Sequence, residues 1–213
     1  MARYFPIFLD LEGTECLVVG AGEIATGKAA QLLKYGARLT IVAPRATPQV
    51  LEWAKQGRVR YHDREFQESD LDGKTLVVGS TDRPEVNRRV YEAARSRNIL
   101  ANIVDVPELC SFIYGAVVER GDLQIAVSTS GRSPAYAAHL RRELEDQFGA
   151  EYAEYVDILG QVRRAVREAV TDLEEQKNVY ARILQMDLLS LIRSGRKEEA
   201  LKAALECISP SSD

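Results

Sequence analysis

The chain has 213 residues, 46% hydrophobic and 28% charged, with a formal net charge of -4 and a pI near 5.4. That balance describes an ordinary globular protein of one large or two small domains, and it speaks against broad binding of nucleic acid or anionic membranes. Three widely spaced cysteines, Cys16, Cys110 and Cys207, form no CxxC or Cys/His motif, which argues against a zinc or paired-thiol site and fits a reducing cytoplasm. The opening MARYFPIFLDLEG lacks a signal-peptide core, and no run approaches the roughly 20 apolar residues of a membrane span.

Residues 14–20 (TECLVVG) predict a buried strand, and residues 23–35 a helix with Ile24, Ala29, Leu32 and Leu33 on one face. ARLTIVAP (37–44) predicts a second strand and closes a βαβ unit. A helix near 47–56, strands at 58–62 and 75–79, a helix from Pro84 to about Arg97 and a strand at 100–104 follow in alternation. Such alternation predicts an α/β fold with a Rossmann-like parallel sheet. After Asp105 the rhythm changes to two β-rich runs joined at Arg120-Gly121-Asp122, a predicted hairpin. From Ser133 the composition is helical, with helices expected at 134–148, 151–170, 172–193 and 196–207, and disorder in the closing SPSSD. Gly149, Gly160 and Gly195 punctuate this region, Gly160 being placed inside a helix at a cost of about 1 kcal/mol if the helix runs through it. The expected organisation is a nucleotide-binding domain over 1–112, a β-hairpin segment over 113–148 and a C-terminal helical domain over 149–213.

The first turn carries the most chemistry. Gly20-Ala21-Gly22-Glu23-Ile24-Ala25 is G-x-G-x-x-A between a strand and a helix. Gly20 permits the tight turn, Gly22 lets backbone approach a pyrophosphate, and Ala25 lets helix and strand pack closely. The usual ribose-binding acid about 20 residues on is missing, because that region reads Val42-Ala43-Pro44-Arg45. Two readings stay open there: Arg45 on an NADP 2'-phosphate, or backbone near Pro44 on the ribose with Arg45 solvated. Ser80, Thr81 and Asp82 end a strand and either border a nicotinamide or cap the following helix. Asp105, at the end of LANIV, either takes a proton while a nicotinamide takes hydride or merely shapes a turn before Val106-Pro107.

STSGRSP places Ser128, Thr129, Ser130, Gly131, Arg132 and Ser133 just ahead of a helix. Ser133 is a natural N-cap and Pro134 a natural first residue, and a hydroxyl-rich loop at a helix N-terminus also favours carboxylates or phosphates. His139, about one and a half turns into that helix, either reaches a ligand or is a surface or packing residue, and no residue set resembles a metal site.

Together YFPIFLDLEGTECLVVGAGEIATGKAAQLL, STDRPEVN and NIVDVPELCSFIYGAVVERGDLQIAVSTSGRSP, with the helical tail, resemble the precorrin-2 dehydrogenases, including the N-terminal half of bifunctional siroheme synthases, over about residues 4–145. The resemblance implies NAD-dependent oxidation of precorrin-2 to sirohydrochlorin, followed in some members by ferrous iron insertion to give siroheme, with the iron as substrate. It also implies a homodimer built through the middle segment. Asp105 falls on the family's catalytic aspartate. Glu23 and Ile24 fall on the NAD turn, and Pro44 and Arg45 on the segment bordering the adenosine end, with NAD favoured over NADP. The family turn is often three glycines followed by a basic pair. Here Ala21 takes the middle position and Gly27 precedes Lys28, while Thr129-Ser130-Gly131 stands where Ser-Gly-Gly or Thr-Gly-Gly is common. No methyltransferase domain is expected within these 213 residues. An NAD(H)-sensing regulatory protein, whose helical tail reports occupancy to a partner, is the alternative.

Overall fold

The computed structural model describes residues 4–208, which divide into two compact units at the Tyr114–Gly115 junction. The expected disorder at 209–213 lies outside the described residues. In the first unit β1 (Glu15–Val19), β2 (Arg38–Val42), β3 (Val59–His62), β4 (Leu76–Gly79) and β5 (Leu100–Ile103) form one sheet in the order β3-β2-β1-β4-β5. All four pairings are parallel. The strands are near-continuous apolar runs because both faces are covered. Cys16, Val18, Leu39, Ile41, Leu76 and Val78 pack beneath α1 (Glu23–Lys34) and α2 (Pro48–Lys55). Leu17, Val19, Val77, Ala101 and Ile103 pack beneath α3 (Pro84–Ser96). Strand order reverses between β1 and β4, so the carboxyl ends of those two strands flank the crevice where ligands of such sheets bind.

The phase of α1 differs from the expected one. Ala25, Ala29 and Leu32 are buried, whereas Ile24 is 58% exposed. The glycine turn fixes the phase: Ala25 must face the sheet for close packing, which rotates its neighbour about 100° away.

In the second unit β6 (Ala116–Arg120) and β7 (Leu123–Val127) form the expected antiparallel hairpin. Its two-residue loop has positive φ at Gly121 (57°) and not at Asp122, the pattern of a type II' turn. The Arg120 guanidinium donates to the Phe148 and Glu145 carbonyls (2.7 and 3.1 Å), tying the hairpin to the end of α4 (Pro134–Gln147). Helix α5 (Glu151–Ala169) runs through Gly160.

The single helix expected over 172–193 is two, α6 (Leu173–Leu184) and α7 (Leu188–Arg193). Asp187 accepts a hydrogen bond from the Ser190 N–H and starts a new helix. That break brings Leu188 and Ile192 into one cluster with Ile158, Val162 and Val166 of α5 and Ala200 and Ala204 of α8 (Lys197–Glu206). Among the described residues no helix is long and apolar enough to cross a membrane.

Candidate nucleotide site

Gly20 leaves β1 with φ 108°, its N–H donating to the Val42 carbonyl (2.9 Å). A Cβ at Gly20 would overlap the Ser80 carbonyl of the neighbouring loop, so this glycine is required by the protein itself. Gly22 differs. Its φ is an ordinary -76°, and a Cβ there would meet nothing within 4 Å. It is the N-cap of α1 with no capping side chain, so the first helical bond, from Thr26 N–H to Gly22 O, leaves the N–H groups of Glu23, Ile24 and Ala25 ahead of it without helical acceptors. An exposed, uncapped helix end behind a glycine that packing does not demand is the environment an anionic group would use. The residues present therefore fit a dinucleotide pyrophosphate.

The loop after β2 is bound to this turn. Thr47 N–H donates to the Ala21 carbonyl (3.0 Å), and the Thr47 and Thr26 hydroxyls are 2.8 Å apart. One consistent proton order runs from Val50 N–H to Thr47 Oγ1, from Thr47 to Thr26, and from Thr26 to Gly22 O. Pro44 and Arg45 are exposed at the carboxyl end of β2, and Arg45 has no ion pair among the described residues. Tyr61 Oη donates to the Ala43 carbonyl at 2.8 Å, which anchors the backbone just before them.

Beyond β4 the three polar residues part company. Thr81 N–H and hydroxyl both reach Asn87 Oδ1 (3.2 and 2.8 Å), and Asn87 Nδ2 donates back to the Thr81 carbonyl (3.0 Å). Thr81 thus locks the loop onto α3. The Ser80 and Asp82 side chains make no hydrogen bond among the described residues, Ser80 half-buried and Asp82 exposed.

Asp105 stands exposed one residue past the end of β5's last ladder bond, with φ 60°. A left-handed aspartate is tolerated better than most residues and still costs about 1 kcal/mol or more. Its turn is braced from behind: Cys110 Sγ lies 3.3 Å from both the Ile103 and Val106 carbonyls, and burial pushes the thiol pKa up. Asn102, buried on β5, donates to the Phe112 carbonyl (2.9 Å), and Ser111 N–H donates to Ala101 O (2.8 Å). The returning segment therefore covers the open edge of β5 and fixes where Asp105 emerges. Lys28 of α1 lies over the Tyr114 ring, its Nζ 4.0 Å from the centroid. Burial lowers the Lys28 pKa, and the charge of Asp105 works against that lowering.

In the second unit the 128–133 loop is a tight turn. Arg132 N–H donates to Thr129 O (3.0 Å), with positive φ at both Ser130 (54°) and Gly131 (79°), as in a type I' turn. Ser128 Oγ accepts from Ser130 N–H, Thr129 Oγ1 from Ser133 N–H, and Ser133 caps α4 by accepting from Tyr136 N–H. Arg132 is exposed. His139 pairs with Glu143 (3.3 Å) on the exposed face of α4. Among the described residues no three His, Cys, Asp or Glu side chains are grouped to hold a metal ion.

Residues 7–116, just over half of the chain, match the family described as "Putative NAD(P)-binding". The chain belongs to that family. Residues 120–147 match a second family, described as "Sirohaem biosynthesis protein central". The chain is 34% identical over 207 residues to a siroheme synthase of Nitrosococcus oceani, covering 96% of this chain and 44% of that protein. It is 37% identical over 204 residues to the siroheme synthase of Methylobacillus flagellatus, with the same shares covered. It therefore spans less than half the length of these relatives. Among solved structures it is similar to SirC, a precorrin-2 dehydrogenase, with a TM-score of 0.76 at 26% identity, over 95% of this chain and all of that one. The α/β fold with its hairpin and helical region is the fold of that structure.

Around the glycine turn, sequence reasoning misses the residues that act through space. Thr26, Thr47, Asn87, Asn102 and Cys110 hold the loops, and each finds its partner across the fold or in a turn of irregular geometry. Only Thr47, just before Pro48, carries a local sign, that of a helix cap.

Proposed function

We propose that this chain oxidises precorrin-2 to sirohydrochlorin with NAD. The observation that carries the reading is one sheet edge: the uncapped N-terminus of α1 behind Gly22 and the Asp105 carboxylate stand at the carboxyl ends of β1 and β5, in a parallel sheet where those ends share a side. The family matches and the named relatives support the substrate.

In this reading Gly20, Gly22 and Ala25 shape the cofactor turn, and the Glu23, Ile24 and Ala25 N–H groups face its pyrophosphate. Exposed Ile24 covers the cofactor, Pro44 and Arg45 border the adenosine end, and Ser80, Thr81 and Asp82 border the nicotinamide. NAD, when bound, supplies the hydride acceptor. Asp105 takes the proton, so that precorrin-2 and NAD⁺ give sirohydrochlorin, NADH and a proton. The Ser128, Thr129, Ser130, Gly131, Arg132 and Ser133 turn, with an exposed guanidinium and a helix N-terminus, takes substrate carboxylates.

A homodimer through residues 113–148 is part of the proposal. A two-stranded hairpin with nearly all of its side chains half-exposed is marginal alone and gains by pairing with a second copy. The free cysteines, Cys16 among them with burial pushing its thiol pKa up to about 11, support a cytoplasmic setting. Ferrous iron insertion is the second reading, favoured by the siroheme synthase relatives. Asp105 would then accept pyrrole protons, with iron as substrate.

The test is anaerobic: purified protein, precorrin-2 and NAD, with visible spectra following sirohydrochlorin and NADH, and NADP in parallel. Turnover with NAD supports the proposal, and adding ferrous iron then tests chelation. Folded, NAD-binding protein that turns over nothing favours a sensor.

A further inference from the structure

Helix α1 carries a cation, Lys28, that rests on an aromatic ring. Lys28 is half-buried, and among the described residues its ammonium makes no hydrogen bond and no ion pair. It is held in place all the same. The Tyr114 ring beneath it packs on Phe112 (centroids 5.5 Å apart) and against the core under α1. An ammonium with three N–H donors, drawn partly out of water onto a fixed aromatic face, is poised for an acceptor that the described residues do not supply.

Tyr114, which carries Lys28, and Val104, the residue before Asp105, pack against the same core cluster, and the charge of Asp105 acts on the ammonium. The substrate proposed above carries many carboxylates, and a base carboxylate on a chain of net charge -4 repels such a molecule. A cation fixed near that base offsets the repulsion where the reacting carbon must approach. Lys28 follows Glu23 by five residues, about 7 Å further along the helix axis, so it lies past the N–H groups assigned to the pyrophosphate.

We propose that Lys28, seated on Tyr114, binds a carboxylate of the tetrapyrrole substrate next to Asp105. This rests on the reading of Asp105 as the base. The same ammonium could instead serve a phosphate of the cofactor, and the experiment separates the two anions.

Lys28→Met, Lys28→Gln and Lys28→Arg are compared with wild type for three quantities: KM for precorrin-2, the dissociation constant of sirohydrochlorin by visible titration, and that of NAD. Trp53 fluorescence checks folding, and Lys28→Gln serves if Lys28→Met does not fold. Loss of the charge is expected to raise the precorrin-2 KM and weaken sirohydrochlorin tenfold or more, with NAD within twofold and Lys28→Arg recovering most of the loss. Unchanged tetrapyrrole constants in a wild type that turns over precorrin-2 overturn the assignment and leave the function standing, as does a loss confined to NAD. A wild type that neither turns over precorrin-2 nor binds sirohydrochlorin defeats both.

Discussion

Gly20 and the Ser80 carbonyl are so close that no Cβ fits between them, while Gly22, two residues on, faces open space. The two glycines of one motif therefore have separate reasons. Gly20→Ala should destabilise the first unit by about 2 kcal/mol or more, from overlap and from its positive φ. Gly22→Ser should leave stability within about 1 kcal/mol, since serine is an N-cap residue, and should weaken NAD. Denaturation followed at Trp53, the sole tryptophan, with a parallel NAD titration, reads both.

Tyr114 presents its hydroxyl to the interior with no hydrogen-bond partner among the described residues, and burial pushes its pKa up. Removing an unsatisfied buried hydroxyl relieves desolvation. Tyr114→Phe should be neutral or stabilising by about 1 kcal/mol, because the ring that carries Lys28 is retained. A loss beyond 1 kcal/mol in the same denaturation experiment would show that the hydroxyl has a role in the fold.

Ser130 occupies a left-handed position (φ 54°), a conformation that glycine adopts without steric cost. Ser130→Gly should stabilise by about 1 kcal/mol and Ser130→Val should destabilise, since a β-branched residue tolerates positive φ poorly. Thermal melts at 222 nm distinguish these outcomes.

Asp70 ties the turn between β3 and β4. Burial works to raise its pKa, but two hydrogen bonds from Arg64 (2.9 and 2.6 Å) and one from Gln67 N–H (2.8 Å) outweigh burial and hold it below the usual value. A depressed carboxyl pKa contributes stability that is present above about pH 4, the unfolded value, and is lost as pH falls through the lower native one. The stability difference between wild type and Asp70→Asn should thus be constant from about pH 8 to 5 and shrink below about pH 4. A difference that persists at low pH would mean the carboxylate charge is not what matters.

Much of the first unit is legible from the sequence because parallel strands buried on both faces read as apolar runs, and glycine and proline mark their ends. TECLVVG, ARLTIVAP and the strand ending at Gly79 become β1, β2 and β4 within a residue or two. What escapes is set by three-dimensional partners. Ile24 has the composition of a core residue and is turned outward by the fit of Ala25 on the sheet. The 172–193 run has helical composition throughout, and only the Asp187 side chain finding the Ser190 N–H ends one helix and begins another. Of the candidate site, the glycine turn and Asp105 are visible as motifs. The Cys110 brace and the Lys28–Tyr114 contact are not, because each joins elements far apart in the chain or in a turn without periodicity.

Wild type and Asp105→Asn are to be compared in anaerobic precorrin-2 oxidation, with NAD affinity determined on the same samples. Asparagine tolerates the left-handed position and preserves shape while removing the carboxylate. If Asp105 takes the proton, the variant keeps its fold and its NAD affinity within twofold, and its turnover is lower by about a hundredfold or more. Wild-type turnover in Asp105→Asn would contradict that role and remove this residue from the chemistry.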